Sequence, residues 1–113
     1  MKYIIAIDIG TQSTRASVIN QDGTILIIEQ IKHDLVRPLP NWAQQNPDSW
    51  WNETCHATKE VLKKANVNLS AIAVVATCGQ MHGPVGIDED GNTTTPWVQL
   101  WCDKRCNEQC QDL

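Results

Sequence analysis

The 113-residue chain contains no apolar run near the roughly 20 residues that a membrane-spanning helix requires. Its N-terminal apolar run, residues 3–7, is interrupted by Asp8 too early to form a signal peptide. The chain also lacks an excess of positive charge, because its formal net charge is −4. That balance argues against broad binding to nucleic acid or to an anionic membrane. These absences predict a cytoplasmic protein that acts on neither.

The cysteine pattern lacks the features of a disulfide framework. The five cysteines are an odd set without any Cys-x-x-Cys pair, which is typical of reduced thiols in the cytosol. Cys102, Cys106 and Cys110 recur every four residues and would share one face of a helix. A thiolate metal site is the alternative to ordinary packing there. Structural zinc sites rarely use that spacing, so the pattern favours packing.

Two common catalytic signatures are also missing from the chain. It has no Gly-x-x-x-x-Gly-Lys loop, which excludes a P-loop nucleotide site. Its serine, histidine and aspartate residues are scattered without a nucleophile elbow, so hydrolase chemistry has no support. The length suits one small domain or a piece of a larger one.

What the chain does contain is a polar cluster, Asp8–Arg15, between two apolar runs. Its backbone N–H groups, hydroxyls and arginine could surround a phosphate, and the Asp8 carboxylate could hold Mg²⁺ directly or through water. The alternative is a polar β-turn with aspartate and glycine in their usual roles. The candidate phosphate-binding residues are Gly10, Thr11, Gln12, Ser13, Thr14 and Arg15.

The apolar pattern predicts an α/β fold that begins with an antiparallel meander. Residues 3–8, 14–20 and 24–31 are predicted as its three strands. The near-continuous apolar character of residues 4–7 indicates a central strand that is covered on both faces. A surface loop over residues 33–45 follows, because prolines interrupt the pattern there.

One long helix and a further strand are predicted next. Asn46 suits the N-cap and Pro47 the first helical position, while the turn at residues 66–68 ends the helix. Residues 72–77 then form a strand that lies parallel to an earlier one through a right-handed crossover. The apolar stripe of the helix comprises Trp50, Thr54, Ala57, Val61, Leu62 and Ala65.

The rest of the chain is predicted as a second hairpin over residues 85–97 and a helix over the last ten residues, which Asp103 would cap. These elements do not close an obvious two-layer domain. We therefore expect the chain to be part of a larger domain.

A second polar cluster, Gly79–Gly83, follows the strand at residues 72–77. Its flanking glycines let a ligand approach the backbone, Gln80 and His82 offer hydrogen bonds, and Met81 supplies an adaptable apolar wall. The alternative is a glycine-bounded loop whose histidine satisfies only neighbouring backbone groups.

A third cluster contains Trp97, Trp101, Asp103 and Arg105. Indole faces stack on the C–H faces of sugars, and the charged side chains can fix hydroxyl groups, so the set suits a carbohydrate. The alternatives are core packing for the tryptophans and helix capping for Asp103. The other aromatic and histidine candidates are assigned to the core (Trp50 and Trp51) and to the surface (His33 and His56).

The three clusters, in this order, resemble the N-terminal part of the FGGY carbohydrate kinases. Asp8–Thr11, followed by Arg15, is similar to the first phosphate loop of that family. Asn41–Pro47, which leads into two tryptophans, is similar to its Trp-x-Glu-Gln-(Asp/Asn)-Pro segment.

Two further segments resemble the xylulokinases within that family. Gly79–Gly83 is similar to their sugar-binding loop, where glycerol kinases usually carry Arg-Glu in place of Met-His. Leu100–Cys106 resembles their Leu-Trp-Asn-Asp-x-Arg-Cys run. The resemblance covers nearly all 113 residues.

This resemblance implies a ribonuclease H-like α/β fold, the mixed sheet with helices that sugar kinases share with actin and heat-shock chaperone ATPases. Residues 1–113 would be part of the N-terminal domain. The implied activity is ATP- and Mg²⁺-dependent transfer of the γ-phosphoryl group to a hydroxyl of a ketopentose, most like D-xylulose. By position, Asp8 would act around Mg²⁺ and the transferring phosphoryl group. The implied sugar-binding residues are Gln80, Met81, His82, Trp101 and Asp103.

Two departures from the xylulokinase pattern keep alternatives open. Cys102 stands where those enzymes often have asparagine, and residues 12–15 are closer to the glycerol kinase loop. Glycerol or another polyol is therefore an alternative substrate, and a non-catalytic sugar-binding or interaction module is an alternative function. The aspartate general base and the adenosine domain of the family lie beyond residue 113, so we expect residues 1–113 alone to be inactive. Unpaired sheet edges favour self-association, so a homodimer is compatible with the sequence.

Overall fold

The computed structural model describes residues 1–112 as a four-stranded mixed sheet with one long helix packed against it. A separate two-stranded sheet and a short helix follow. In chain order the elements are β1 (Tyr3–Ile9), β2 (Ser13–Asn20), β3 (Ile25–Lys32), β4 (Gln44–Gln45), α1 (Pro47–Ala65), β5 (Ile72–Gly79), β6 (Val98–Gln99) and α2 (Asn107–Gln111).

The main sheet has the strand order β3-β2-β1-β5. The first three strands pair antiparallel as a meander, and β5 pairs parallel with β1. These pairings confirm the meander and the parallel return that the sequence predicts. Because β1 and β5 run in the same direction, both strands end at the same edge of the sheet.

The ends of α1 also lie where the sequence predicts them. The Asn46 side chain accepts a hydrogen bond from the Asp48 N–H at 2.8 Å, and Pro47 is the first helical residue. At the other end Asn66 takes a left-handed conformation with φ of 52°, and its N–H bonds the Leu62 carbonyl. These caps satisfy backbone groups that the helix leaves unpaired at its ends.

The apolar core lies between β2 and α1. Ala16 and Val18 of β2 and Ala57 and Val61 of α1 have no exposed surface. The two helical residues are four apart and therefore share one face of α1, as the predicted stripe requires. This packing fixes α1 across the sheet.

Two predictions about burial are wrong. β1 is central, but α1 packs on only one of its faces, so Ile4 on the other face is half-buried whereas Ile5 is buried. The side chain of Trp51 is 70 % exposed, although the tryptophan pair was expected in the core. Adjacent helical residues point about 100° apart, so Trp50 is half-buried while its neighbour faces outward.

The C-terminal part of the described chain differs most from expectation. The predicted second hairpin is reduced to a single bridge, between Ile87 and Thr93, and β6, which lies just beyond it in the chain, pairs with β4. α2 has five residues rather than ten, and Cys106 precedes it without a side-chain cap. Cys102 therefore lies outside α2. The described residues include no helix that combines the length and apolar composition of a membrane span.

Candidate active site

The first and second polar clusters meet at the edge where β1 and β5 end. In the sheet register Asp8 pairs with Arg15 on β2 and with Cys78 on β5. We call residues 10–12, after β1, the first loop, and residues 80–83, after β5, the second loop. Ligands of α/β sheets commonly bind beyond the carboxyl ends of parallel strands, which is where both loops lie.

Two adjoining cavities open at these loops, one between the first and second loops and the other beside the first loop alone. The first, of about 400 Å³, is called the Met81 cavity, and the second, of about 330 Å³, the Arg15 cavity. Both are lined by Asp8, Gly10, Thr11 and Trp101. The Met81 cavity adds Gly79, Gln80, Met81 and His82, and the Arg15 cavity adds Gln12, Ser13 and Arg15.

Asp8 lies at the centre of this arrangement. One carboxylate oxygen is 3.7 Å from the Arg15 guanidinium, too far for a good hydrogen bond, and the other is 3.6 Å from the Cys78 sulfur. The Asp8 side chain is 43 % exposed. Partial desolvation, followed by the hydrogen bond to Asp8, raises the pKa of the Cys78 thiol, which keeps its proton. A carboxylate with this much free capacity fits Mg²⁺, which prefers oxygen ligands.

The second loop presents its side chains outward. Met81 is 69 % exposed, and His82 is also exposed and has φ of 65°, an uncommon value for a residue other than glycine. A Cβ at Gly83 would lie 3.0 Å from a Val98 methyl group. Glycine there lets the loop approach β6 closely, and the preceding Met81 and His82 line the Met81 cavity.

Trp101 joins the two loops from the third cluster. Its indole N–H donates to the Thr11 hydroxyl at 2.9 Å, and that hydroxyl donates to the Gln80 side-chain oxygen at 3.2 Å. The indole is 60 % exposed and lines both cavities. One residue from each predicted cluster is thus linked in a single chain of hydrogen bonds.

Thr14 does not reach either cavity with its side chain. It has no exposed surface, and its hydroxyl donates to the Glu53 carboxylate on α1 at 2.9 Å. Successive strand residues point to opposite faces, so Thr14 faces the helix while Ser13 lines the Arg15 cavity. The prediction that the Thr14 hydroxyl contacts phosphate therefore does not fit this structure.

Asp103 is likewise not available to a sugar or as a helix cap. Its carboxylate is 3 % exposed, accepts the Ala43 N–H at 2.7 Å and receives several hydrogen bonds from Arg105. These hydrogen bonds, that of Arg105 first, lower the Asp103 pKa to about 2. The Arg105 guanidinium also lies 3.5 Å from the centre of the Trp42 ring. We call Trp42, Asp103 and Arg105 the carboxylate clamp.

Trp97 is the member of the third cluster that lies elsewhere. It is 45 % exposed and lines a separate cavity of about 340 Å³ together with Trp50. The structure therefore brings only Trp101 of this cluster to the loops. No group of three or more metal-ligating side chains occurs within residues 1–112.

His33 is a contributor that the sequence analysis missed by assigning it to the surface. Its side chain is 5 % exposed, with Nδ1 2.7 Å from the Glu53 carboxylate and Nε2 2.8 Å from the Gly10 carbonyl. Its backbone N–H also donates to the Gln12 carbonyl. The strand register of β2 with β3 was the available signal for this placement, because Ser13 pairs with the residue before His33. His56 is exposed, as predicted.

Gln45 is the second residue that was missed. It is 2 % exposed and contacts both loops through hydrogen bonds. The sequence signal was its place at the glutamine of the Trp-x-Glu-Gln-(Asp/Asn)-Pro segment, just before the helix N-cap at Asn46, but that resemblance did not assign it to a site.

A mixed α/β sheet with two polar loops at the shared end of parallel strands is the N-terminal architecture of the fold common to sugar kinases, actin and chaperone ATPases. The sequence profile of the FGGY family of carbohydrate kinases, N-terminal domain, matches residues 3–113. The chain belongs to this family, which confirms the resemblance and the fold.

Two curated relatives and one solved structure illustrate the similarity. The chain is 33% identical over 110 residues to a xylulose kinase of Bacillus subtilis, covering 97% of this chain and 22% of the relative. It is 34% identical over 104 residues to a glycerol kinase of Leifsonia xyli, covering 92% and 21%. The crystal structure of xylulose kinase from Rhodospirillum rubrum superposes with a TM-score of 0.85 at 26% identity, covering 98% of this chain and 22% of that one. The chain thus spans about a fifth of the length of these proteins.

Proposed function

We propose that this chain is part of a kinase that transfers the γ-phosphoryl group of ATP to a hydroxyl of a ketopentose, with D-xylulose as the preferred substrate. One observation carries the proposal. The anion-binding groups around Arg15 and the exposed pair Met81 and His82 line adjoining cavities that share Asp8. A phosphoryl donor and a sugar bound in those cavities would meet at the carboxylate.

The residues present would act by positioning and by neutralising charge. Asp8 is the residue that would hold Mg²⁺, which when bound offsets the charge on the phosphoryl oxygens. Arg15 and the backbone N–H groups of Thr11 and Gln12 would donate to anionic oxygens in the Arg15 cavity, whereas the Gly10 N–H is used by the Ser13 carbonyl. In the Met81 cavity, Gln80 and His82 supply hydrogen bonds to sugar hydroxyls, while Met81 and Trp101 supply apolar contact.

The substrate is tested by titrating D-xylulose, L-ribulose and glycerol against the full-length protein in a coupled ADP-release assay. We expect the highest kcat/KM with D-xylulose, because the second loop carries Met81 and His82. A clear preference for glycerol would overturn the choice of ketopentose. That alternative is kept because a glycerol kinase is about as similar in sequence as the xylulose kinases.

Residues 1–113 are proposed to be one part of the N-terminal domain and to be inactive alone. Support comes from the length of the relatives, of which this chain spans about a fifth. Sugar-dependent ADP release by residues 1–113 would contradict this proposal.

A sugar-binding or interaction module without catalysis is the second candidate. Such a module would use Met81, His82 and Trp101 but would not need Asp8 or Arg15. Asp8→Asn separates the two functions, because it should abolish phosphoryl transfer in a kinase and leave sugar affinity within about twofold in a module.

The proposed partners are the sugar and ATP, and the proposed location is the cytoplasm. All five cysteines are unpaired, which suits a reducing compartment. The proposed homodimer has some support from β5, an edge strand on which Val74 and Val75 are more than half exposed. Light scattering on the full-length protein tests it.

A further inference from the structure

Gln45 is hydrogen-bonded to both the first loop and the second loop. It lies on β4, is 2 % exposed and lines neither the Met81 cavity nor the Arg15 cavity. Its side-chain N–H groups nevertheless reach the Thr11 carbonyl of the first loop at 2.7 Å. Its side-chain oxygen accepts from the Gln80 amide of the second loop at 3.0 Å.

Every hydrogen-bonding group of the Gln45 amide is used. The oxygen also accepts from the Trp50 indole at 3.0 Å, and the nitrogen also donates to the Asp34 carbonyl at 3.3 Å. A primary amide has two N–H donors and two oxygen lone pairs, so none is left for a ligand. This residue can act on the cleft only through its neighbours.

The chemistry of the partners fixes the orientation of this amide. The indole of Trp50 can only donate, and the carbonyls of Thr11 and Asp34 can only accept. Rotating the amide of Gln45 by 180° would therefore place donors against donors and acceptors against acceptors. The assignment does not depend on locating hydrogen atoms.

The same donor-to-acceptor direction continues around a closed ring of hydrogen bonds. The Gln80 side-chain N–H donates to the Gln45 side-chain oxygen. The Gln80 side-chain oxygen accepts from the Thr11 hydroxyl. The Thr11 backbone carbonyl in turn accepts from the Gln45 side-chain N–H, which closes the ring. We call Thr11, Gln45 and Gln80 the amide ring. Linked hydrogen bonds of this kind strengthen one another in a low-dielectric setting, so loss of one member weakens the others.

We propose that Gln45 is a positioning residue that holds the first and second loops at one separation, and thereby couples phosphate-donor binding in the Arg15 cavity to sugar binding in the Met81 cavity. The coupling part rests on the proposed function. A ligand that orders one loop would order the other through the ring, so the second ligand would meet a loop already in place.

The positioning part is tested without any activity, by hydrogen exchange of the full-length protein. Gln45→Met keeps the length of the side chain but removes all four hydrogen bonds, so we expect exchange in both loops to accelerate on the order of tenfold. As a carboxylate, Gln45→Glu keeps both acceptors and loses both donors, so exchange is followed at alkaline pH, where this buried carboxyl is ionised. This variant should release the first loop and leave the second loop protected.

Gln44→Met is the matched control. Gln44 is the adjacent residue on β4, is 8 % exposed, and bonds Arg105 rather than either loop. It should leave exchange in both loops unchanged. Equal acceleration in the Gln44 and Gln45 variants, or no loop difference between Gln45→Met and Gln45→Glu, would overturn the positioning role.

Calorimetry tests the coupling part by measuring the Kd of D-xylulose with and without ADP. We expect ADP to tighten sugar binding at least about fivefold in the wild type and in Gln44→Met, and this factor to fall close to one in Gln45→Met. A factor near one in the wild type, or an unchanged factor in Gln45→Met, overturns the coupling. If the wild type binds no sugar, the proposed function and the coupling both fail, while the exchange result still decides the positioning role.

Discussion

The amide ring and the carboxylate clamp are two partly buried polar clusters with different roles. The ring is neutral and borders both cavities through Thr11 and Gln80. The clamp is ionic, lines neither cavity, and holds the backbone of Ala43 through Asp103. The ring joins two loops that line the cavities, whereas the clamp is a buried ion pair, in which removal of one partner is strongly destabilising.

This contrast divides the third sequence cluster between two tasks. Trp101 points to the cleft and belongs with the ring, while Asp103, two residues later, belongs to the clamp. The clamp also holds Arg105 against the ring of Trp42. It therefore fastens the chain just after Trp101 against the Trp42–Ala43 segment, and the indole contacts Thr11 from there.

Breaking the clamp should have the largest effect on stability. Asp103→Ala leaves the Arg105 guanidinium buried without its carboxylate, and removing one partner of a buried ion pair costs roughly 3–5 kcal/mol. The free energy of unfolding in urea measures this loss. Lys104→Ala, at an exposed neighbouring side chain, should change it by less than about 0.5 kcal/mol. Equal effects of the two variants would show that the clamp is not a stabilising ion pair.

Acid should weaken the clamp by a smaller amount and leave the ring untouched. The Asp103 pKa is about 2 in the folded protein, below the value of about 3.9 in an unfolded chain. Its contribution is therefore present above about pH 4 and is lost as the pH falls from about 4 to about 2. The shift corresponds to roughly 2–3 kcal/mol.

The measurement is the free energy of unfolding across that pH range. Asp103→Asn has no titrating carboxyl at this position, so its stability should depend less steeply on pH. A wild type and variant with parallel pH profiles would contradict the assignment of this acid sensitivity to Asp103.

The sequence predicted the meander, the parallel return of a strand after α1 and the ends of α1, because those depend on local signals. Asn46 and Pro47 cap a helix by their own chemistry, and an apolar strand after a helix returns to the sheet. The direction in which a polar side chain points was not predictable in the same way. Thr11 and Thr14 belong to one polar cluster, but Thr14 is inside β2 and faces Glu53.

Long-range partners explain the other differences. Asp103 suits a helix cap by residue type, but the Ala43 N–H lies 60 residues away in sequence and no local pattern indicates it. His33 is similar, because its partners Glu53 and Gly10 come from α1 and the first loop. Only the pairing register of β2 with β3 would have placed that histidine behind the loop.

The two threonines give a third, smaller test. Thr14→Val keeps the shape of a buried side chain and removes its hydrogen bond to Glu53, which should cost about 1–2 kcal/mol of stability. Because the hydroxyl faces α1, ADP affinity in the full-length protein should stay within about twofold. Thr11→Val should instead cost less stability and weaken binding, since its hydroxyl lies in the ring. The opposite pattern would place Thr14 in the cleft after all.

A substitution at Trp101 has the smallest expected effect on stability, and it compares the amide ring with a residue that bonds it from outside. Trp101→Phe keeps an aromatic face but removes the indole N–H that bonds the Thr11 hydroxyl. Stability should change by less than about 0.5 kcal/mol, because the side chain is 60 % exposed. The Kd of D-xylulose, measured by calorimetry, should rise about two- to fivefold, because Thr11 loses the donor that fixes the direction of its own hydrogen bond to Gln80. Trp51→Phe is the control, since that tryptophan is 70 % exposed on α1 and lines neither the Met81 nor the Arg15 cavity. If both variants bind the sugar equally well, the indole contributes only apolar contact, and its hydrogen bond to Thr11 does not affect sugar binding.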